Sequence, residues 1–172
     1  MSVTPLRVGI SRCLLGEQVR HDGGHKLDPF LIEQAGSQVE WVPVCPEMEV
    51  GLGTPREPMQ LTGDLLAPRL VTVHTGVDHT GAMARFSAQR AQELQALRLC
   101  GFIVKSASPS CGINVVAVFD RGRVTHGGIG LFARAFMKQF PLMPVEEEIR
   151  LHEAQALQFF LARASEYRSR AG

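Results

Sequence analysis

The sequence predicts an α/β fold with a mostly parallel sheet flanked by helices, and three observations carry that prediction. Short apolar runs of strand length recur along the chain, at 6–11 (LRVGIS), 39–45 (VEWVPVC) and 101–106 (GFIVKS). Segments with helical periodicity separate them, and strands alternating with helices argue for parallel pairing. Three of the four cysteines, Cys13, Cys45 and Cys111, stand at or just past the ends of these runs. An open parallel sheet binds its ligands in the crevice beyond the carboxyl ends of its strands.

Residues 6–11 and 39–45 read as short buried strands, the second with apolar side chains partly alternating. Between them, after the loop GEQVRHDGGHK, Asp28-Pro29 marks a helix start. Asp is the N-cap, Pro opens the first turn, and FLIEQA runs on until Gly36. Residues 46–68 are rich in Gly and Pro and read as an ordered loop with one helical turn. RLVTVHTG then alternates as a strand should, pairing with MQLTG before it. From Asp78 to Leu99 the pattern is helical: Met83, Phe86, Leu94 and Leu97 share one face, while Arg85, Gln89, Gln92 and Glu93 point elsewhere. Gly101 follows as a stop before the third buried strand. VVAVFD-RGR-VTH reads as a hairpin with Gly122 in its turn. LFARAFMKQF reads as a helix ending before Pro141, and residues 141–145 as a last short strand. The segment 146–168 is predicted as a helix with Ile149, Ala156, Phe160 and Tyr167 on one face. Its three glutamates would fall in the first turn, where the helix dipole favours them.

Composition sets the frame. A chain of 172 residues fits one domain, spanning 1–172, and is long enough to bury a sizeable core. Its 45% apolar and 20% charged residues are ordinary for a globular protein. A net charge of +1 gives no global field toward nucleic acid or an anionic membrane. The N-terminus MSVTPLRVGIS lacks the pattern of a secretory signal, and no window has the apolar length of a membrane span. Four cysteines are too sparse for a disulfide scaffold and suit bound metal in a reducing cytoplasm.

Spacing alone says little about the cysteines, because there is no CxxC knuckle and the intervals are long. A free Cys is often just a small buried hydrophobe. The neighbours decide. Cys45 lies in Pro-Val-Cys-Pro-Glu and Cys111 in Ser-Pro-Ser-Cys-Gly, both loop-forming settings that expose backbone N–H groups to a thiolate or a cluster sulfide. Cys100, beside Leu97 and Leu99 before Gly101, reads instead as core packing. Three thiolates with no fourth protein ligand suit two sites: a catalytic zinc with an open position, or an iron–sulfur cluster with one iron free of protein. Glu47 beside such a site can supply acid–base chemistry, the plainer reading being a solvated loop glutamate. Ser108 can donate to a substrate or simply stabilise a Ser-Pro-Ser turn.

Taken together, ISRCLLGEQVRHDGGHK, WVPVCPEMEVGLGTPREPMQL and VKSASPSCGI resemble the 2-thiouracil desulfurase family, formerly a domain of unknown function. The matching motifs spread over residues 8–130. The resemblance implies a Rossmann-like α/β fold carrying an oxygen-sensitive 4Fe–4S cluster on three cysteines, by motif position Cys13, Cys45 and Cys111, with one open iron. It implies catalytic roles for Glu47 and Ser108. The implied reaction is non-redox hydrolysis of a C=S bond, in which 2-thiouracil or a related thiolated pyrimidine and water give uracil and hydrogen sulfide. The open iron would act as a Lewis acid and Glu47 would carry the proton. A thiolated nucleoside or tRNA stays open as an alternative substrate. His21 departs from the family, standing before Asp22-Gly23 where a Tyr is expected. Arg56 can bind a uracil carbonyl or tie down its own loop.

The remaining motifs read as structural. Gly128 to Ala133 matches a GxGxxA fingerprint but follows a hairpin, not a first parallel strand, and reads as a tight turn into a helix. The six histidines form no HxxxH or HExxH pair; His74, His79 and His126 read as surface or packing residues. Two other classes compete with the desulfurase: a zinc hydrolase on the same thiolates, and a non-enzymatic iron–sulfur or zinc protein.

Overall fold

The computed structural model describes residues 4–171. Strand β1 (Leu6–Ser11) ends in a 3-10 turn over Arg12–Leu15. Helix α1 (Pro29–Ala35) starts as predicted: the Asp28 carboxylate accepts from the Leu31 N–H at 3.1 Å, satisfying an orphan donor of the first turn. Then come β2 (Val39–Val44), the single turn α2 (Pro46–Glu49), β3 (Met59–Gly63), β4 (Pro68–Thr72) and α3 (Thr80–Ala96). After these come β5 (Gly101–Val104), β6 (Val116–Asp120), β7 (Arg123–Gly128), α4 (Leu131–Gln139), β8 (Val145–Glu147) and α5 (Ala154–Ala171).

The strands make two sheets. The first, in the order β2-β1-β5-β8, is parallel throughout, as predicted. The second, β4-β3-β6-β7, joins two antiparallel hairpins through a parallel β3–β6 pairing. Both hairpins are foreseen by the sequence, but not their union into a sheet of their own.

Alternation along β1 and β5 divides the core into two clusters. Leu6, Val8, Ile10 and Ile103 face α1 and α5, meeting Leu31, Leu157 and Phe160. Phe102 and Val104 face the other way, into a cluster with Met83 and Leu94 of α3, Phe132 and Phe136 of α4, and Leu61 and Val118 of the second sheet. Phe102 and Phe136 meet at 4.8 Å between ring centroids, edge to face. Burying each of these rings contributes about 1.5–3 kcal/mol. Gly9 pairs with Phe102 across the strands, and a Cβ there would sit 2.4 Å from its ring. The phenyl group occupies the space a side chain would need.

Three local predictions are corrected. Helix α3 stops at Ala96, so Leu97 is 38% exposed and the buried Leu99 takes the core position. The last strand begins at Val145 and not at 141, because Pro141 and Pro144 have no N–H to give and pairing with β5 starts at the Pro144 carbonyl. The helix expected from 146 is preceded by β8 and a 3-10 turn over Glu148–Leu151. Parallel pairing of Glu146 and Glu147 with Ile103 and Val104 takes that backbone into the sheet, and Ile149 is left 49% exposed. No helix among the described residues is long and apolar enough to cross a membrane.

Candidate functional site

β2 and β5 lie on opposite sides of β1, so the connections diverge at its carboxyl end, the place where open α/β sheets receive ligands. Each neighbouring strand delivers one cysteine there. Cys13 sits in the 3-10 turn after β1, Cys45 closes β2 as N-cap of α2, and Cys111 lies in the loop from β5 to β6. All three line one pocket of about 390 Å³, together with Glu47, Arg56, Ser108, His21 and Lys105. Cys13 and Cys111 are buried, and Cys45 is half-buried. Cys100 lies elsewhere, 1% exposed in the first core cluster, with its Sγ 3.2 Å from the Arg7 carbonyl oxygen.

The pocket keeps its thiols protonated. Burial, with the charge of Cys45 adding to it, pushes Cys13 from the ordinary 9.0 up to about 11, against the opposing pull of Arg20 and Lys105. Burial also raises Cys45; a hydrogen bond from the Met48 N–H opposes the shift and the Glu47 charge adds to it. Cys111 is raised well above its ordinary value, by burial and then by Cys45 and Glu47, while the Ser11 hydroxyl favours its thiolate. Each thiolate thus makes the others harder to form. A group carrying positive charge and soft affinity for sulfur would relieve that repulsion and release the protons. The donor set fits an iron–sulfur cluster, whose separate irons each take one thiolate. A single zinc needs its ligands around one centre. Among the described residues no three His, Cys, Asp or Glu side chains are grouped to hold one metal ion.

Glu47 joins two of the cysteine loops. Its Oε1 accepts from the Ser110 hydroxyl at 2.8 Å, and its Oε2 accepts from Arg56 Nε at 2.8 Å. Arg56 also donates to the Gly53 carbonyl at 2.6 Å and the Val19 carbonyl at 3.0 Å. Its guanidinium therefore lines the pocket while bracing its own loop, the loop carrying Val19, and Glu47. Ser108 Oγ accepts from the N–H of Cys111 at 3.1 Å and of Ser110 at 3.3 Å, holding the turn while its own hydroxyl proton remains to be donated. Glu49 reaches back to the Cys45 N–H at 3.0 Å and pairs with Arg12 and Arg90.

The Cys111 loop is held from a place the sequence does not reveal. Glu147, fully buried, accepts from the N–H groups of Ile113 at 2.8 Å and Asn114 at 3.0 Å. Glu148, 4% exposed, accepts from the Ser106 N–H at 2.7 Å and its hydroxyl at 2.8 Å, and pairs with Lys105. Two consecutive carboxylates thus grip the entry and the exit of the loop. Two of the three glutamates read as helix-start acids are loop anchors, and Ser110 is a Glu47 partner that nothing in Ser-Pro-Ser-Cys distinguishes from Ser108.

The GxGxxA match has a packing explanation. A Cβ on Gly130 would lie 2.3 Å from the Ser110 carbonyl carbon, so the bare backbone lets α4 press against the Cys111 loop. Gly130, Leu131 and Ala133 donate their N–H groups to the carbonyls of Gly112, Pro109 and Ser110. His21 lines the pocket; His74, His79 and His126 are not among the residues lining it.

The model of the 2-thiouracil desulfurase family matches residues 8–148. The uncharacterized protein YbbK of Bacillus subtilis (strain 168) is 29% identical over 138 residues, 76% of this chain and 88% of its own. The solved structure of the 4Fe-4S-dependent thiouracil desulfidase TudS is 28% identical, with a TM-score of 0.66 over 90% of this chain and 99% of its own.

Proposed function

Because the chain belongs to the 2-thiouracil desulfurase family, we propose that it is an iron–sulfur-dependent thiouracil desulfidase whose 4Fe–4S cluster is held by Cys13, Cys45 and Cys111. The observation that carries this reading is the convergence of three thiols, from three adjacent parallel strands, on one pocket that also contains a braced carboxylate. Three protein ligands for four irons would leave one iron without a side chain, and the bound cluster would supply Lewis acidity toward a thiocarbonyl sulfur.

The chain's own residues do the rest. Glu47 faces the pocket between Ser110 and Arg56, placed to take a proton from water adding at the thiocarbonyl carbon and to return it to the leaving sulfur. Ser108 gives its hydroxyl proton to the substrate or to the negative charge that develops on it. Arg56 keeps Glu47 in place and offers its charge at the pocket wall, where a pyrimidine carbonyl would lie. Atoms balance as a hydrolysis: 2-thiouracil and water give uracil and hydrogen sulfide. In this reading the whole chain, 1–172, acts as one desulfurase domain in the cytoplasm on a small thiolated pyrimidine.

Sulfide release from 2-thiouracil by anaerobically reconstituted protein, with unreconstituted protein as control, tests the proposal. Cluster-dependent formation of uracil and sulfide is expected. A full cluster with no release from any thiolated pyrimidine would overturn the enzyme reading. Zinc in place of iron and acid-labile sulfide would overturn the cluster.

A further inference from the structure

Lys105 is the first residue after β5, and its side chain forms part of the wall of the thiol pocket. It is only 18% exposed, and its partner Glu148 only 5%. The ammonium group is bonded to Glu148, to the Ser106 hydroxyl at 2.7 Å and to the Ser106 carbonyl at 3.2 Å. Its three hydrogens thus have acceptors within the protein, which leaves none for a substrate. What it keeps is its charge. Where water is excluded a fixed charge acts more strongly and farther than at a surface. Glu148 is the counter-charge, itself fixed by the Ser106 N–H and hydroxyl. Lys105 shares the pocket wall with Cys13, and Glu148 meets that wall through the ammonium group and Ser106.

We propose that Lys105 in the pocket wall and Glu148 bonded to it are a matched pair of fixed charges, and that their balance sets how strongly the cluster on Cys13, Cys45 and Cys111 withdraws electrons. The inference rests on the cluster reading above and adds two residues to which that reading gives no role. Removing either partner leaves the charge of the other uncompensated. A bare cation beside the cluster favours its reduced form, and a bare carboxylate favours its oxidised form. Glu148→Gln should therefore raise the reduction potential. Lys105→Met, which leaves Glu148 bonded to Ser106, should lower it, and the double variant should return toward the wild type.

The experiment is a dithionite titration of anaerobically reconstituted wild-type protein and the three variants. It is followed by electron paramagnetic resonance, with iron and sulfide content measured on each sample. The electron comes from the dithionite, and turnover needs no redox step. Opposite shifts in the two single variants, cancelling in the double, support the proposal; loosening of the loop would move both the same way. Shifts of the same sign, or none, in fully loaded variants overturn it. If Glu148→Gln fails to fold, Lys105→Met decides alone: a lowered potential supports the proposal, and an unchanged or raised one overturns it. Wild-type protein that takes up no cluster overturns the cluster reading, and this inference with it. A loaded wild type with unresponsive variants overturns this inference only.

Discussion

Cys45 and Cys111 line the same pocket, yet their loops are held by opposite means. The Cys45 turn carries its own acids, Glu47 and Glu49, and draws cations to them: Arg56 to the first, Arg12 and Arg90 to the second. The Cys111 loop contributes N–H groups and takes its acids, Glu147 and Glu148, from the far side of α4. The first arrangement is ionic and partly wet, with Glu49 and Arg90 side chains 17% and 19% exposed. The second is dry. A partly wet ion pair tolerates adjustment, whereas a lost buried acceptor leaves N–H groups with nothing to replace it. The molecule thus pairs an adjustable wall with a rigid one.

The largest test treats the two walls as equals. Alanine at Cys13, Cys45 or Cys111 is expected to abolish or cripple cluster uptake, and Cys100→Ala to retain it, read as iron and sulfide per chain after anaerobic reconstitution. Cluster loss in Cys100→Ala alone would overturn the ligand set, and tolerance of Cys45→Ala would make the adjustable wall dispensable. Next in size, Glu47→Gln should keep the cluster and slow turnover by about 100- to 10,000-fold. Near-normal turnover would remove Glu47 from the chemistry and leave it a link between the walls.

Stability separates the walls directly. Glu147→Gln should cost about 1–3 kcal/mol, because a fully buried charged acceptor of two N–H groups is weakened. Glu49→Gln should cost about 1 kcal/mol or less. Urea unfolding of the cluster-free protein measures both, and equal costs would erase the contrast. The smallest effect is one of pH. Cys13 titrates higher in the fold, about 11, than its ordinary 9.0. The unfolded chain therefore loses that proton first, and the cluster-free fold keeps the full contribution below pH 9. Stability should decline as pH rises from about 9 toward 11, and Cys13→Ser should flatten the slope; a slope unchanged by that substitution would remove Cys13 as its source.

The contrast between the walls also marks what sequence reading can reach. The Cys45 turn is local: Pro46, Glu47 and Glu49 stand beside the cysteine they serve, and the Asp28-Pro29 helix start is equally self-contained. The Cys111 anchors are not. A run of three glutamates before a helical pattern reads as acids at a helix start because that is their best local use. Their real partners, Lys105, Ser106, Ile113 and Asn114, become neighbours only when β8 docks beside β5. The same holds for the second sheet, where parallel pairing of Leu61 with Val118 joins two hairpins that the sequence shows only separately. Apolar period, capping and turn chemistry are written in neighbouring residues, whereas a long-range hydrogen bond leaves no mark near either partner.

The placement of Cys13, Cys45 and Cys111 beyond the ends of three adjoining strands has a mechanical side. One group bound to all three would staple β2, β1 and β5 at their ends and close residues 14–44 and 46–110 into rings. Ring closure takes freedom from the unfolded chain, more so for longer rings. Losing such a group would then remove a cross-brace, so that the emptied protein would also be looser and more open to degradation.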